Sequence, residues 1–248
     1  MKLTLKMKER CFMRNCDNCI SGSYGLDCSN GEETLYCNHD MYEYDVDPSF
    51  CCDDHEFIEG MEDSHLLKKI LRSDNPSLLI KENKDYMYGL IPELKVCDGF
   101  SQCNDYHLYD VLEHILKVVD NVDNNYILRI AALFHDVGKP ISFSKDKDGV
   151  GHFYGHWNES IKIFDKYKDL FGLSEEEVLL INNLIYYHDM GITESNADLF
   201  RRIFKDNIGM LLSLKRADIL AQNPKYQDRL NDLSLKRKIL RKTYREVL

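Results

Sequence analysis

From about residue 61 onward, apolar side chains recur every three to four positions, the spacing that lines one face of an α-helix. The stretch EDSHLLKKILRS (62–73) has this spacing and stops before the breaker SDNPS. LIPELKVCDGFSQCND (90–105) reads as a short helix followed by a loop. YHLYDVLEHILKVVDNV (106–122) is amphipathic, with Leu108, Val111, Leu112, Ile115, Val118 and Val119 at helical intervals. NYILRIAALFHDVGK (125–139) is so apolar up to His135 that it predicts a central helix. KDKDGVGHFYGH (145–156) reads as a polar, Gly-rich loop, and WNESIKIFDKYKDLFG (157–172) as a helix that Gly172 stops. LSEEEVLLINNLIYYHD (173–189) opens on a Ser174/Glu177 capping box. NADLFRRIFKDNI, GMLLSLKRADILAQN and the long tail YQDRLNDLSLKRKILRKTYREVL complete the helical part, without internal repeats or low-complexity tracts.

Residues 1–60 lack this spacing. They are acidic and rich in Cys, Gly and Asn, with turn residues at SGS and SNG, and predict short hairpins and loops. The expected protein is therefore mainly α, with a small Cys-rich, zinc-ribbon-like module at 1–60, a helical linker at 61–100 and an all-helical catalytic domain at 101–248. Seven of the nine cysteines lie in the first 52 residues. The start of the chain lacks the apolar stretch of a secretory signal, so this clustering points to a metal module and not to a disulfide framework. Cys16 and Cys19 form a C-x2-C knuckle; with Cys37 and Cys52 they make the preferred four-thiolate zinc set. Cys28 or Cys51 are substitutes, and Cys11 and His39 more remote ones. Free thiols and an iron–sulfur cluster are the alternatives.

Charge narrows the partners. The net charge of −10 argues against a surface coated for long duplex nucleic acid. It is uneven: residues 1–60 carry 5 Lys/Arg against 13 Asp/Glu, and residues 225–248 carry 8 against 3. The basic tail suits a local phosphate or an RNA end, or simply a solvated helical face. No apolar run is long enough to span a membrane, and a cytoplasmic location is expected.

Several polar residues interrupt apolar helices or end them. His114 lies among Val111, Ile115 and Val118; His135 and Asp136 end the central apolar stretch; Asp218 follows LLSLKRA. His156 and His188 end a loop and another apolar helix. Buried imidazoles and carboxylates are costly unless paired or bound to metal. Together these six residues would make an N/O site for one or two divalent ions: Mn, Fe, Co, Ni, Zn or Mg. Asp136, beside a ligating His, could bridge two cations, and a two-ion site suits phosphate chemistry in which a metal-bound hydroxide attacks phosphorus. Lys139, one helical turn beyond His135, could add positive charge at the phosphate. Each lone His is more often a satisfied core residue than a ligand; His55, His65 and His107 are read that way. The order His, His-Asp, His, His, Asp is what separates the other residues from chance.

In this order the chain resembles the HD-domain metal-dependent phosphohydrolases, with HDVGK as the family's HD-x-G-K core. On that resemblance His114 is the first His, His135 and Asp136 the pair, Asp218 the final Asp, and His156 and His188 the additional ligands of two-metal members. KILRSDNPSLLI, LIPELKVCDGF, YHLYDVLEHIL, AALFHDVGKP, DGVGHFYGHWNES and KRADILAQNPKY resemble, in order, the C-terminal half of bacterial tRNA nucleotidyltransferases (CCA-adding enzymes), over roughly residues 61–230. The resemblance implies an all-helical HD domain that hydrolyses 2′,3′-cyclic phosphates, 2′-nucleotides or other phosphoesters. GSYG (22–25) and DVD (45–47) mimic that family's polymerase loop, but their interval is too long and Cys-rich. CCA addition is therefore not expected. The expected activity is hydrolysis of a nucleotide or RNA 3′-end phosphoester, with Asp136 and Lys139 as its catalytic residues. The alternative is a non-catalytic scaffold that binds tRNA or RNA ends.

Overall fold

The computed structural model describes residues 22–26, 33–37 and 61–241. The chain divides into two compact units, with the boundary between His65 and Leu66. In the first unit, β1 (Gly22–Leu26) pairs antiparallel with β2 (Glu33–Cys37), in a register that sets Gly22 opposite Cys37. GSYG thus lies in a strand, not in a phosphate-binding loop. Cys37 closes β2; Cys16, Cys19 and Cys52, the other three residues of the preferred zinc set, lie outside the described residues, as do Cys11, Cys28, His39 and Cys51.

The described part of the second unit is mainly helical. After α1 (Met61–Arg72) come three short helices, α2 (Pro76–Glu82), α3 (Lys84–Leu90) and α4 (Pro92–Cys97). Pro76, which reads as a breaker, starts α2, because a proline costs nothing at a first helical position whose N–H has no partner in the helix. Helices of two turns show no usable periodicity, so α2 and α3 are additions to the sequence reading. The helix α5 (Val111–Asn121) begins at Asp110, whose carboxylate accepts the Glu113 N–H at 2.8 Å. Leu108 therefore lies outside the apolar stripe assigned to it: it precedes the cap and is 59% exposed.

The helix α6 (Tyr126–Phe134) is the centre of the unit. Asn125 caps it, and every residue from Leu128 to Phe134 is buried. One of these is Arg129, whose guanidinium donates to the Leu71 and Ser73 carbonyls at 2.8 and 2.6 Å. Those carbonyls belong to the end of α1, where a cation is favoured by the helix dipole. Beyond α6 the chain turns into α7 (Lys139–Ser142) and a minimal antiparallel hairpin, β3 (Ser144–Lys145) with β4 (Gly151–His152), where the sequence reads only as a loop. Next come α8 (His156–Tyr167), a turn of tighter helix ending at Gly172 (φ +60°), and α9 (Glu175–Tyr187). The Ser174/Glu177 capping box is present at the start of α9. The remaining helices are α10 (Ala197–Phe204), α11 (Ile208–Ala221) and α12 (Arg229–Arg241).

The core is continuous through this unit. Phe134 meets Phe164 and Phe171 edge-on, at ring separations of 5.3 and 5.7 Å. Each such burial contributes about 1.5–3 kcal/mol. The helix α11 packs along α5, and α9 along both α6 and α8. As a result the C-terminal ends of α6 and α9, the N-terminal end of α8, the first turn of α5 and the last turn of α11 approach one another. Among the described residues, no helix is long and apolar enough to cross a membrane.

Candidate metal centre

The polar residues singled out in the sequence arrive at that convergence. His114 comes from α5, Asp218 from α11, His135 and Asp136 from the turn after α6, His156 from the first position of α8, and His188 from the C-cap of α9. All six are buried or nearly so. Asp136 is at the middle. Its Oδ2 faces His114 Nε2 at 3.1 Å and His135 Nε2 at 3.2 Å, and its Oδ1 faces His156 Nε2 at 3.1 Å and His188 Nε2 at 3.6 Å. Asp218 Oδ1 lies 3.1 Å from the same nitrogen of His114. Two ligand groups result, His114/His135/Asp136/Asp218 and Asp136/His156/His188, with donor atoms mutually within 4.8 Å. Two N/O ligands about 2.1 Å from one ion and at right angles to each other are about 3.0 Å apart. The spacings are those of ligands around a shared ion.

Hydrogen-bond accounting leads to the same place. Nδ1 of His135, His156 and His188 lies 2.7, 2.8 and 2.7 Å from the backbone carbonyls of Ala132, Phe153 and Ile185. A carbonyl only accepts, so each Nδ1 carries a proton, and Nε2, which in the neutral ring offers a lone pair, faces Asp136. Among the described residues, none gives a well-aligned hydrogen bond to His114 Nε2, His135 Nε2 or Asp136 Oδ1, all fully buried, while Asp136 Oδ2 has the Lys139 ammonium beside it at 2.6 Å. Lone pairs facing lone pairs in a low-dielectric interior repel unless a cation lies between them. The donor set fits a divalent metal, and the backbone carbonyls behind the rings fix them as the outer partners of metal-bound histidines do.

The charges are tightly coupled. Burial alone would raise the Asp136 carboxyl, but His135, Lys139 and His114 hold it well below the usual carboxylate range. Asp218 is likewise held down by His114 and His135 against its burial. Burial disfavours charge on His114 and His188, yet the facing carboxylates raise both; at His135 burial prevails and lowers it. Behind α9, Lys215 donates to the carbonyls of His188 and Met190 at 2.5 and 2.7 Å, and its burial lowers the ammonium to about 8.

The turn after α6 is braced. The Ser160 hydroxyl on α8 accepts the Gly138 N–H at 2.9 Å and donates to the His135 carbonyl at 3.0 Å. Lys139 is buried, with its ammonium 2.6 Å from Asp136 Oδ2 and 2.8 Å from Gln102 Oε1. Two further residues belong to the site. His107, which reads as a core residue, is half-buried on the wall of the cavity, edge-on to His114 at 5.0 Å and 2.9 Å from Asn104 Oδ1. Burial and Lys139 push it down to about 2. Gln222 donates to both oxygens of Asp218 at 3.3 and 3.2 Å, and its own oxygen accepts from Arg229 at 2.9 Å. Its position one helical turn after Asp218 was a usable signal; His107 sits in a loop, where no periodicity marks it.

A cavity of about 240 Å³ opens over the centre, lined by Asp136, Lys139, His156, His188 and Asp218 together with aromatic rings. The arrangement can hold one or two divalent ions at the floor of a partly aromatic pocket. Residues 104–222 match the HD domain family. An A-adding tRNA nucleotidyltransferase of Deinococcus radiodurans is 30% identical over 162 residues, which cover 61% of this chain and 37% of that protein. The chain thus spans well under half of this relative.

Proposed function

We propose that this chain, whose residues 104–222 form an HD domain related to that of the tRNA nucleotidyltransferases, is a metal-dependent phosphohydrolase. Its substrate on this reading is a phosphoester of a nucleotide or of an RNA end, 2′,3′-cyclic phosphates included. The observation that carries the reading is the central carboxylate: buried, faced by the Nε2 atoms of four histidines that form two ligand groups around it, with the single charge of Lys139 beside one of its oxygens.

His114, His135, Asp218 and Asp136 Oδ2 would hold one ion, and His156, His188 and Asp136 Oδ1 a second; Mn, Fe, Co, Ni and Mg all suit such ligands. A bound divalent ion supplies Lewis acidity at a phosphoryl oxygen and lowers the pKa of water. The chain's own residues do the rest. Asp136 sets the spacing of the two ligand groups, and Lys139 offsets its charge while extending positive potential to the cavity. The second group has only three protein ligands, which leaves room for a phosphate oxygen. Cys16, Cys19, Cys37 and Cys52 remain our proposed zinc ligands in a module of residues 1–60, with 61–100 as linker and 101–248 as catalytic domain. Absence of a suitable membrane helix among the described residues and a tRNA-acting relative support a cytoplasmic setting.

The second reading, a non-catalytic RNA-end scaffold, is favoured by the relative's acting on tRNA. It leaves the complete ligand set without a purpose. Hydrolysis of bis-p-nitrophenyl phosphate and 2′,3′-cyclic AMP, assayed with Mn, Ni, Co or Mg, separates the two. We expect activity that chelation removes and Asp136→Ala abolishes. A folded, metal-loaded protein inert to both compounds would leave the scaffold reading standing.

A further inference from the structure

The geometry points to a base-stacking platform, the His152–Tyr154 ring pair, beside the metal centre; the inference rests on the phosphohydrolase reading and names what its substrate carries. The platform would hold the nucleobase of the nucleotide whose phosphate reaches the two ligand groups.

Tyr154 is 78% exposed, yet its ring is not free to wander. It lies parallel to His152, at 5.3 Å and 8° between planes. His152 ends β4 and Tyr154 lies in the turn between that strand and α8, where its ring lies alongside that of His152. His152 is anchored in turn: its Nε2 lies 3.0 Å from Asp146 Oδ2, while Asp146 Oδ1 accepts the N–H groups of Asp148 and Val150 at 3.0 and 2.9 Å. The hairpin itself is fixed to the neighbouring loop. Gly151 donates to the Cys103 carbonyl at 2.8 Å, and a Cβ at Gly151 would fall 2.2 Å from the Gln102 carbonyl oxygen, so the two backbones touch. The exposed Tyr154 ring is therefore aligned with an anchored neighbour and lines the cavity.

Distance ties the platform to the chemistry. Tyr154 precedes the ligand candidate His156 by two residues, so their Cα atoms are at most about 7 Å apart, a span that one ribose bridges. Tyr154, Trp157, His156 and Asp136 line one cavity. Its volume of about 240 Å³ lies below the range of pockets that enclose a whole drug-sized ligand, about 300–1,000 Å³, which fits a nucleotide held by its phosphate and ribose with the base resting on the exposed Tyr154 ring. A flat aromatic face recognises any base, because every base has a π-face. The platform thus selects nucleotides over sugar phosphates without selecting among bases.

Trp157 is the only tryptophan of the chain, so its fluorescence reports on this cavity. The test titrates the full, Mn-loaded chain with AMP and with ribose 5-phosphate, read at mixing before turnover accumulates. AMP should bind more tightly than ribose 5-phosphate. Tyr154→Ala should weaken AMP roughly 5- to 150-fold and leave ribose 5-phosphate unchanged, while Tyr154→Phe should retain AMP affinity. Equal binding of the two ligands by the unaltered chain, or unchanged AMP binding in Tyr154→Ala, overturns the platform. Competition by a short RNA strand ending in adenosine names the source of the base: tighter binding than AMP marks an RNA end, weaker binding a free nucleotide, and either upholds the platform. Tyr154-dependent AMP binding without hydrolysis would defeat the phosphohydrolase reading alone. Hydrolysis of nucleotides with unaltered KM in Tyr154→Ala would defeat the platform alone.

Discussion

Gly138, in the middle of HDVGK, is required by space and not by backbone conformation. Its φ of −80° and ψ of −6° are open to any residue. A Cβ there, however, would lie 2.5 Å from the His156 carbonyl oxygen, 2.5 Å from the Ser160 nitrogen and 2.8 Å from Glu159 Cβ. The first two are backbone atoms in the opening turn of α8 and cannot rotate away. Gly138→Ala must therefore push α8 from the turn after α6 by about 1 Å to restore ordinary contact. Overpacking of this kind costs about 1–3 kcal/mol, and each kcal/mol shifts Tm by about 2–4 °C for a unit of this size. The expected loss is about 2–12 °C in a calorimetric melt. The same movement stretches the 3.1 Å approach of His156 to Asp136, so titration calorimetry should show weaker binding of the second ion. Gly89→Ala is the control: it lies exposed in α3 with nothing within 4 Å of the added methyl group. It should stabilise by about 0.5–1 kcal/mol. A Gly138→Ala protein that melts at or above the unaltered one would refute the steric reasoning.

Three more outcomes are expected. Burial raises the Glu93 carboxyl, but Lys166 at 2.5 Å and Tyr167 at 2.8 Å outweigh it and hold the group below its ordinary value. Since the folded value is the lower one, its stabilisation is complete above about pH 4.3 and is lost as pH falls through the folded value; Glu93→Gln should flatten that acid limb and cost at most about 1 kcal/mol at neutral pH, and superimposable urea-unfolding curves across the acid range would count against the pair. Gln222→Ala removes the donor to Asp218 and should weaken Mn binding about 10- to 100-fold by titration calorimetry; unchanged affinity would show that Gln222 does not orient the carboxylate. Replacing Cys16 and Cys19 with Ser should remove one zinc per chain by elemental analysis while hydrolysis persists, and an unchanged zinc content would dismiss that ligand set.

Legibility in the sequence followed element length. The helices α5 and α9 were readable because each repeats its apolar spacing over three turns, α9 with its own start signal at Ser174 and Glu177, and the central helix because it is apolar nearly throughout. The two-turn helices α2 and α3 were not, and the β3–β4 hairpin has only two residues per strand, too few for alternation to show. Leu108 fitted the α5 stripe by spacing alone; the Asp110 cap, which starts the helix only after Leu108, was the competing signal. At the candidate site, five of the His and Asp residues were legible because they break or end an apolar run and His156 because it falls in their order, and the structure brings all six together. His107 breaks no run, and its place on the cavity wall follows from tertiary packing against His114.

The central claim is that Asp136 is shared by two divalent ions, and anomalous diffraction from crystals of the chain soaked in Mn tests it most directly. Two anomalous peaks are expected, about 3.5–4 Å apart, one against Asp136 Oδ2 with His114, His135 and Asp218, the other against Asp136 Oδ1 with His156 and His188. Absence of any peak within coordinating distance of Asp136 in well-ordered, Mn-saturated crystals would contradict it.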